Sequence, residues 1–179
     1  MTGLGKAFAA IVMAVSAAAL VAMDQWTKAL AAGFLAGKGA VRLVGGFVML
    51  IYARNRGAFL SLGSGLSPTL RFVLLIVCPL AALAFLGWAF LSRGMGERKE
   101  KYAVVVLIAA GGVGNLVDRL LYGEVRDFLN FGIGRLRTGI MNLADLYILA
   151  ALIVMIVAML RSGRAGKAGG RTDSSGSSS

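Results

Sequence analysis

Histidine is missing from this 179-residue chain, and cysteine occurs once, at Cys78. Without imidazole, serine–histidine and cysteine–histidine nucleophile pairs are excluded, and zinc loses its usual nitrogen ligands. A single thiol rules out an intrachain disulfide. Charge is scarce as well: 15% of residues are charged and only eight are acidic, against 58% hydrophobic. Mean hydropathy is +0.80. A soluble domain of this length cannot hide that much apolar surface, because a small domain leaves a large share of its surface in water.

A bilayer removes the problem. Four runs, residues 7–23, 69–91, 102–121 and 140–160, are long enough or nearly so to cross about 30 Å of hydrocarbon. They predict four transmembrane helices, which satisfy their own backbone hydrogen bonds in lipid. The first run, with Lys6 before it and "AVSAAALVA" within it, also has the form of a cleavable secretory signal. Asp24 and Lys28 directly after it argue for retention. "LIVC" at 75–78 has the form of a lipid-attachment box but sits inside the second run, so Cys78 is expected to pack a helix. The net charge of +11 does not imply nucleic acid, since the basic residues fall in short loops and the tail, where they anchor helices and meet anionic headgroups. With four crossings both termini share a side, which carries nine Lys or Arg against ten on the other. Basic residues close to helix ends favour cytoplasmic termini and chemistry at the outer face. Residues 1–160 read as one membrane domain and 161–179, rich in Gly and Ser, as a disordered cytoplasmic tail.

Between the first two runs lie residues 24–68. Their stretch "VRLVGGFVMLIYARNRGAFLSLG", within a β-rich loop at about 38–66, predicts short strands on the outer membrane face. Arg54, Asn55 and Arg56 interrupt it too early for another crossing.

Ionisable groups near the bilayer core cost roughly 2.5–3.5 kcal/mol each on insertion scales and call for an explanation. In "DQWTK", Asp24 and Lys28 are spaced i, i+4 and pair on one helical face; the plain reading is an ion pair at a helix end beside the interfacial Trp26. In "RNRGAFLS", Asn55 supplies an amide and Gly57 a backbone free to turn, as an ordinary loop does. In "GGVGNLVDR", Asn115, Asp118 and Arg119 form one polar stripe, and Gly111, Gly112 and Gly114 let a second helix approach. A structural role pairs Asp118 with Arg119. In "VRDF" and "MNLADLY", Asp127 lies on an extended return segment, while Asn142 and Asp145 occupy the first turn of the last helix. Antiparallel neighbours bring Asp127 and Asp145 to one membrane depth, and Asp145 has no basic residue within a turn of its helix.

Two carboxylates that close cannot both ionise, so they titrate as a unit and share a proton. One activates water while the other, protonated, polarises a carbonyl. That is aspartyl peptidase chemistry, with no metal or other cofactor. A serine–lysine pair of Ser61 or Ser64 with Lys28 has no motif to fix it, and "GGVGN" lacks the context and lysine of a nucleotide loop. Asp118 remains the rival to Asp127.

The blocks "DQWTK", "NRGA", "GGVGNLVDR", "EVRDF" and "NLAD", in this order between Asp24 and Asp145, resemble those of the bacterial lipoprotein signal peptidase (signal peptidase II) family. The resemblance implies an all-α integral membrane protein of four transmembrane helices, with a small outward-facing β-cradle between helices 1 and 2. It also implies a short outer helix before helix 4, in the place of "NFGIGRLRTG". The implied reaction removes the leader of a prolipoprotein just before its diacylglyceryl-modified cysteine, in the bacterial inner membrane. Asp127 and Asp145 match the catalytic pair. Asn55, Gly57, Asn115, Arg119, Asn142 and Ala144 match residues around substrate and dyad, and Asp24, Lys28 and Asp118 match supporting charges. The implied partners are diacylglyceryl prolipoproteins and membrane lipids, with a monomeric enzyme inhibited by globomycin-type cyclic peptides. Phe59 and Leu60, Met141, and Leu146 with Tyr147 depart from the family's usual residues and bear on pocket shape, leaving room for a specialised paralogue. Competing classes are a small proton-coupled transporter using Asp118, Asp127 and Asp145 as a relay, and a non-catalytic assembly factor.

Overall fold

The computed structural model describes residues 3–57, 65–79, 81–82, 84–85 and 99–169. Helix α1 (Gly3–Leu35) buries only Asp24, Lys28, Ala31 and Leu35, spaced 4, 3 and 4 along one face. Its other faces are apolar and outward, as lipid contact requires: Phe8, Ile11, Val15 and Trp26 are all exposed. At 1.5 Å per residue α1 is about 50 Å long, more than the hydrocarbon thickness, so "DQWTK" lies within the helix rather than at its end. The plain reading of Asp24–Lys28 as an exposed terminal pair is therefore corrected: both are fully buried, because other elements close over this turn.

Helix α2 (Pro68–Phe72) begins with proline at its first position, and the Ser67 hydroxyl accepts from the Leu70 N–H at 3.3 Å. It passes into a π-helical turn at Val73–Val77. The expected span 69–91 continues partly outside the described residues. Helix α3 (Lys99–Tyr122) and helix α4 (Leu143–Gly169) lie against each other. Among the described residues, α1 and the Lys101–Tyr122 stretch of α3 are long and apolar enough to cross a membrane, while the apolar part of α4, Leu143–Ala158, is shorter. Residues 170–179 of the expected tail lie outside the described residues.

The glycines of "GGVG" fix the helix contacts. A Cβ on Gly111 would lie 2.5 Å from the Ala144 carbonyl oxygen, and one on Gly114 would lie 2.7 Å from Asp24 Oδ2. No other residue allows α4 and α1 so close to α3.

Strands β1 (Val41–Leu43), β2 (Val48–Asn55), β3 (Val125–Ile133) and β4 (Leu136–Arg137) form one antiparallel sheet in that order. The sheet is thus wider than the expected cradle, since β3 and β4 come from between α3 and α4. It packs on the upper end of α1, where Ala31, Leu35 and Phe128 meet Leu50, Tyr52, Leu129 and Leu143. Asp127 sits opposite Ala53 in the ladder, beyond an irregularity between Leu50 and Ala53.

The short outer helix expected at "NFGIGRLRTG" is not formed: these residues are the end of β3, a turn and β4. Gly132 has φ +154, and a Cβ there would run into the Leu136 carbonyl oxygen and lie 2.5 Å from Arg137 Cα. The Arg137 guanidinium then ties the hairpin down, donating to Asn130 Oδ1, the Gly46 carbonyl (2.9 Å) and the Gly132 carbonyl (3.2 Å). Backbone pairing across this hairpin leaves no donors for a helical turn.

Candidate active site

The site grows from the N-terminus of α4, where helix geometry leaves N–H groups without partners. Asn142 is the N-cap. Its Oδ1 accepts from the Asp145 N–H at 3.0 Å, and Asp145 Oδ2 accepts in return from the Asn142 N–H at 3.3 Å. This is a reciprocal capping box built from "NLAD". A third N–H, that of Ala144, donates to Asp24 Oδ1 across from α1 at 2.9 Å. The positive end of the α4 dipole therefore faces Asp24 and Asp145.

Strand β3 brings Asp127 to the same cap. Asn142 Nδ2 donates to Asp127 Oδ1 at 2.6 Å, so one asparagine touches both acids. Asn55, at the end of β2, donates to Asp127 Oδ2 at 3.0 Å. Asn115 on α3 donates to Asp145 Oδ1 at 2.8 Å. All four carboxylate oxygens thus accept from amides. Asp127 is 2% exposed. Burial pushes its carboxyl up from 3.8 to about 6; the negative Asp145 adds to the rise, while the Asn55 and Asn142 amides and the Lys28 cation pull it down.

Behind the dyad lies a neutral buried set of two acids and two bases. Lys28 Nζ lies 2.8 Å from Asp24 Oδ2 and 3.6 Å from Asp118 Oδ2. Arg126 holds Asp118 through Nη2 (2.8 Å), Nε (3.2 Å) and its backbone N–H (2.9 Å). The expected Asp118–Arg119 pair is corrected: consecutive helical residues point about 100° apart, and Asp118 pairs with Arg126 instead. The Asp118 carboxylate thus faces two cations, Arg126 and Lys28. Lys28 Nζ also donates to Asn115 Oδ1 at 3.0 Å. A line of polarised bonds therefore runs Lys28 to Asn115 to Asp145.

Arg126 and a neighbour of this set, Gln25, were not singled out in the sequence. Gln25 donates to the Gly114 carbonyl at 2.9 Å and accepts from Arg126 Nη2 at 3.0 Å. Arg126 lies inside the quoted block "EVRDF", and strand alternation was the signal available: neighbours on β3 face opposite ways. Arg126 turns to Asp118 and the Tyr122 ring, 4.4 Å away, while Asp127 turns to the amides.

Arg119 donates to the Gly57 carbonyl at 3.1 Å and to the Asn115 carbonyl at 3.4 Å, and its buried Nε has no partner among the described residues. With Asn115 and Asp145 it forms the polar end of a cavity of about 470 Å³ whose walls include Leu75, Ile148 and Leu152. Gly57 donates its N–H to Asn55 Oδ1 at 3.0 Å, fixing the amide that serves Asp127. Glu124 pairs with Arg54 (3.1 Å) and Arg56 (3.3 Å) beside this turn. Ala144 is fully buried against Gly111 and Gly114, so it sets helix approach. Met141 is buried and bridges Leu129. Phe59, Leu60, Ser61 and Ser64 lie outside the described residues.

Residues 16–161 match the family model described as signal peptidase (SPase) II. A lipoprotein signal peptidase of Bifidobacterium longum strain DJO10A is 33% identical over 153 residues, covering 82% of this chain and 76% of that protein. One from Desulforapulum autotrophicum is 35% identical over 136 residues, covering 75% and 83%. A bacterial membrane enzyme solved by the in meso method superposes with a TM-score of 0.72 at 27% identity, covering 85% of this chain and 89% of the other.

Proposed function

The chain belongs to the signal peptidase II family, and from that premise we propose that Asp127 and Asp145 are the dyad with which it removes signal peptides from prolipoproteins. The observation that carries this reading is one residue, Asn142, donating to both carboxylates, through its side-chain amide to Asp127 and through its backbone N–H to Asp145, at a helix N-terminus that favours negative charge.

In the proposed reaction the pair carries one proton. The ionised carboxylate takes a proton from water as the oxygen attacks the scissile carbonyl carbon, and the protonated one donates to the carbonyl oxygen. Collapse of the resulting diol breaks the C–N bond: the leaving nitrogen takes the proton gained by the first carboxyl, and a diol hydroxyl returns one to the second, restoring the one-proton pair. Asn55, Asn115 and Asn142 hold the carboxylates in place throughout, so little reorganisation accompanies the charge movement.

The cavity beside Asp145 is polar at one end and apolar along its walls. That gradient suits a peptide bond next to a diacylglyceryl cysteine: the bond lies at the dyad and the acyl chains along Leu75, Ile148 and Leu152, each buried CH₂ contributing about 0.8 kcal/mol. This placement supports cleavage beside the modified cysteine, and the bond just before it is the one proposed to be cut. Globomycin-type cyclic peptides would compete for the same cavity. One chain supplies every group, so a monomer suffices. Four crossings with cytoplasmic termini put the dyad at the outer face of the inner membrane, where water reaches it.

Purified protein incubated with a synthetic diacylglyceryl-cysteine precursor should yield a free leader and a fragment beginning at the modified cysteine, identified by mass. Chelators should leave the rate unchanged, because every step of the proposed reaction is carried by the two carboxyl groups and water. Folded protein that leaves the lipidated precursor intact would refute the reading.

A further inference from the structure

At the far end of the sheet from the dyad, the turn Val44–Gly46 and the β3–β4 hairpin form a tip whose composition does not suit water. Val44 is 76% exposed, Ile133 77% and Leu136 85%. Val44 has φ 49, a conformation that β-branched residues rarely adopt. A water-facing turn here would favour glycine or asparagine, whereas valine adds apolar surface despite the strain.

The same tip is cationic. Residues 38–50 and 128–139 contain Lys38, Arg42, Arg135 and Arg137 and no acidic residue. Lys38, Arg42 and Arg135 are exposed. Arg42 and Arg137 line an open cavity of about 680 Å³, with Gly45, Gly46 and Gly132 among its walls. Arg137 donates to the Asn130 side chain and to the carbonyls of Gly46, Gly132, Phe47 and Asn130. None of these acceptors carries a charge, so the guanidinium keeps its full positive charge at the cavity wall. With its five N–H donors so engaged, Arg137 lends the cavity a fixed positive charge, and the exposed Arg42 at the rim supplies the donors for an anion.

On α1 the exposed apolar stripe Met23, Trp26, Leu30 and Phe34 climbs to the level where the sheet begins. Lipid therefore reaches the base of the sheet, and the tip lies six residues along β3 from Asp127, about 20 Å away.

We propose that this tip is a lipid-headgroup site: Val44, Ile133 and Leu136 enter the acyl boundary of the outer leaflet, and the Arg42–Arg137 cavity holds the phosphate of an anionic phospholipid. The apolar contact and the charge contact then act together, as in other two-signal membrane anchors. The sheet, and with it Asp127, is held at a fixed height by lipid on a side where no protein element supports it among the described residues.

The test uses the full chain in vesicles, with Cys78→Ser removing the native thiol and Leu136→Cys carrying a nitroxide label. In phosphatidylcholine vesicles containing phosphatidylglycerol, the label should report acyl-boundary depth, reached by oxygen and shielded from an aqueous relaxant. Arg42→Gln should shift the phosphatidylglycerol concentration needed for that depth about fivefold, and Arg42→Lys should restore most of it. Inorganic phosphate added to phosphatidylcholine vesicles should not substitute. A label equally open to the aqueous relaxant in both vesicle types would overturn the proposal. So would depth indifferent to headgroup charge, which leaves only apolar contact, or full substitution by inorganic phosphate, which makes the cavity a soluble-anion site. The depth readout does not involve cleavage, so it stands or falls separately from the peptidase reading.

Discussion

Asp24 Oδ1 accepts the backbone N–H of Ala144 at 2.9 Å, across 120 residues of chain. A carboxylate on α1 thereby caps α4, one residue before the acid Asp145. The bond explains why the charged pair of α1 lies fully buried inside the helix. Asp24 fixes the height at which α4 begins, Lys28 neutralises it, and Asn115 passes the polarisation on to Asp145.

Replacing either dyad member should separate activity from folding. Asp127→Asn and Asp145→Asn should each lower cleavage about 10²–10⁴-fold while helical content stays near the parent's and the protein remains folded. Leader release from a lipidated precursor, with circular dichroism on the same samples, measures both. Parent-level turnover by folded Asp127→Asn protein would move the catalytic role elsewhere.

The raised carboxyl at Asp127 sets the sign of a stability effect. Folding favours its protonated form, so between 3.8 and about 6 the folded state binds more protons than the unfolded one and stability falls as pH rises. The rise from 3.8 to about 6 corresponds to roughly 3 kcal/mol. Asp127→Asn should therefore raise the unfolding midpoint at pH 7.5 and do so far less at pH 4. An equal change at both pH values would contradict the burial of a charge at 127.

Activity should follow the same proton. If one proton is shared, kcat/KM falls as the pair loses it, with an alkaline limb at about 6 for the free enzyme. Substrate lipid strips water from the site and favours the protonated pair, so the limb in kcat should lie at higher pH. Initial rates across pH 4.5–9 in one detergent decide this. A kcat/KM rising through this region to a plateau would point to an ionised base without a shared proton.

Asp118 should behave as a structural acid. Asp118→Asn leaves Arg126 and Lys28 short of a partner in a buried setting, a loss of about 3–5 kcal/mol for a broken buried pair. Denaturant or thermal unfolding should show it, while cleavage per folded molecule changes less than about tenfold. A loss matching that of Asp127→Asn, in protein that remains folded, would reinstate Asp118 as a dyad candidate.

Two glycine replacements should differ in sign. Gly111→Ala drives a Cβ to 2.5 Å from the Ala144 carbonyl, so α4 must shift, and both stability and activity should drop. Gly33→Ala in α1 meets nothing within 4 Å and should be neutral or stabilise by up to about 1 kcal/mol. Thermal unfolding of the two variants side by side provides the comparison.

Much of the site was legible because its chemistry is written in residue types that cost energy in an apolar chain. Acids and amides cannot be scattered through a membrane protein at random. Asp24, Lys28, Asn55, Asn115, Asp118, Asp127, Asn142 and Asp145 therefore stood out, and the structure brings them all together. Partnership was not legible. Arg126 in place of Arg119 follows from which face of a helix or strand each side chain leaves, and the contact spans eight residues of chain that turn through a glycine. The expected outer helix failed for a related reason: "NFGIGRLRTG" has no periodicity strong enough to decide, and pairing with β2 and across the β3–β4 hairpin made it two strands.

Sequence alone determined the solvent the chain lives in, the absence of an intrachain disulfide and of imidazole chemistry, and the short roster of acids able to act. Those properties follow from composition and local spacing, which need no knowledge of what lies opposite. Tertiary structure alone decided which acid is neutralised and which stays near its own proton. That depends on burial and on cations several elements away, and Coulomb interactions act through space rather than along the chain.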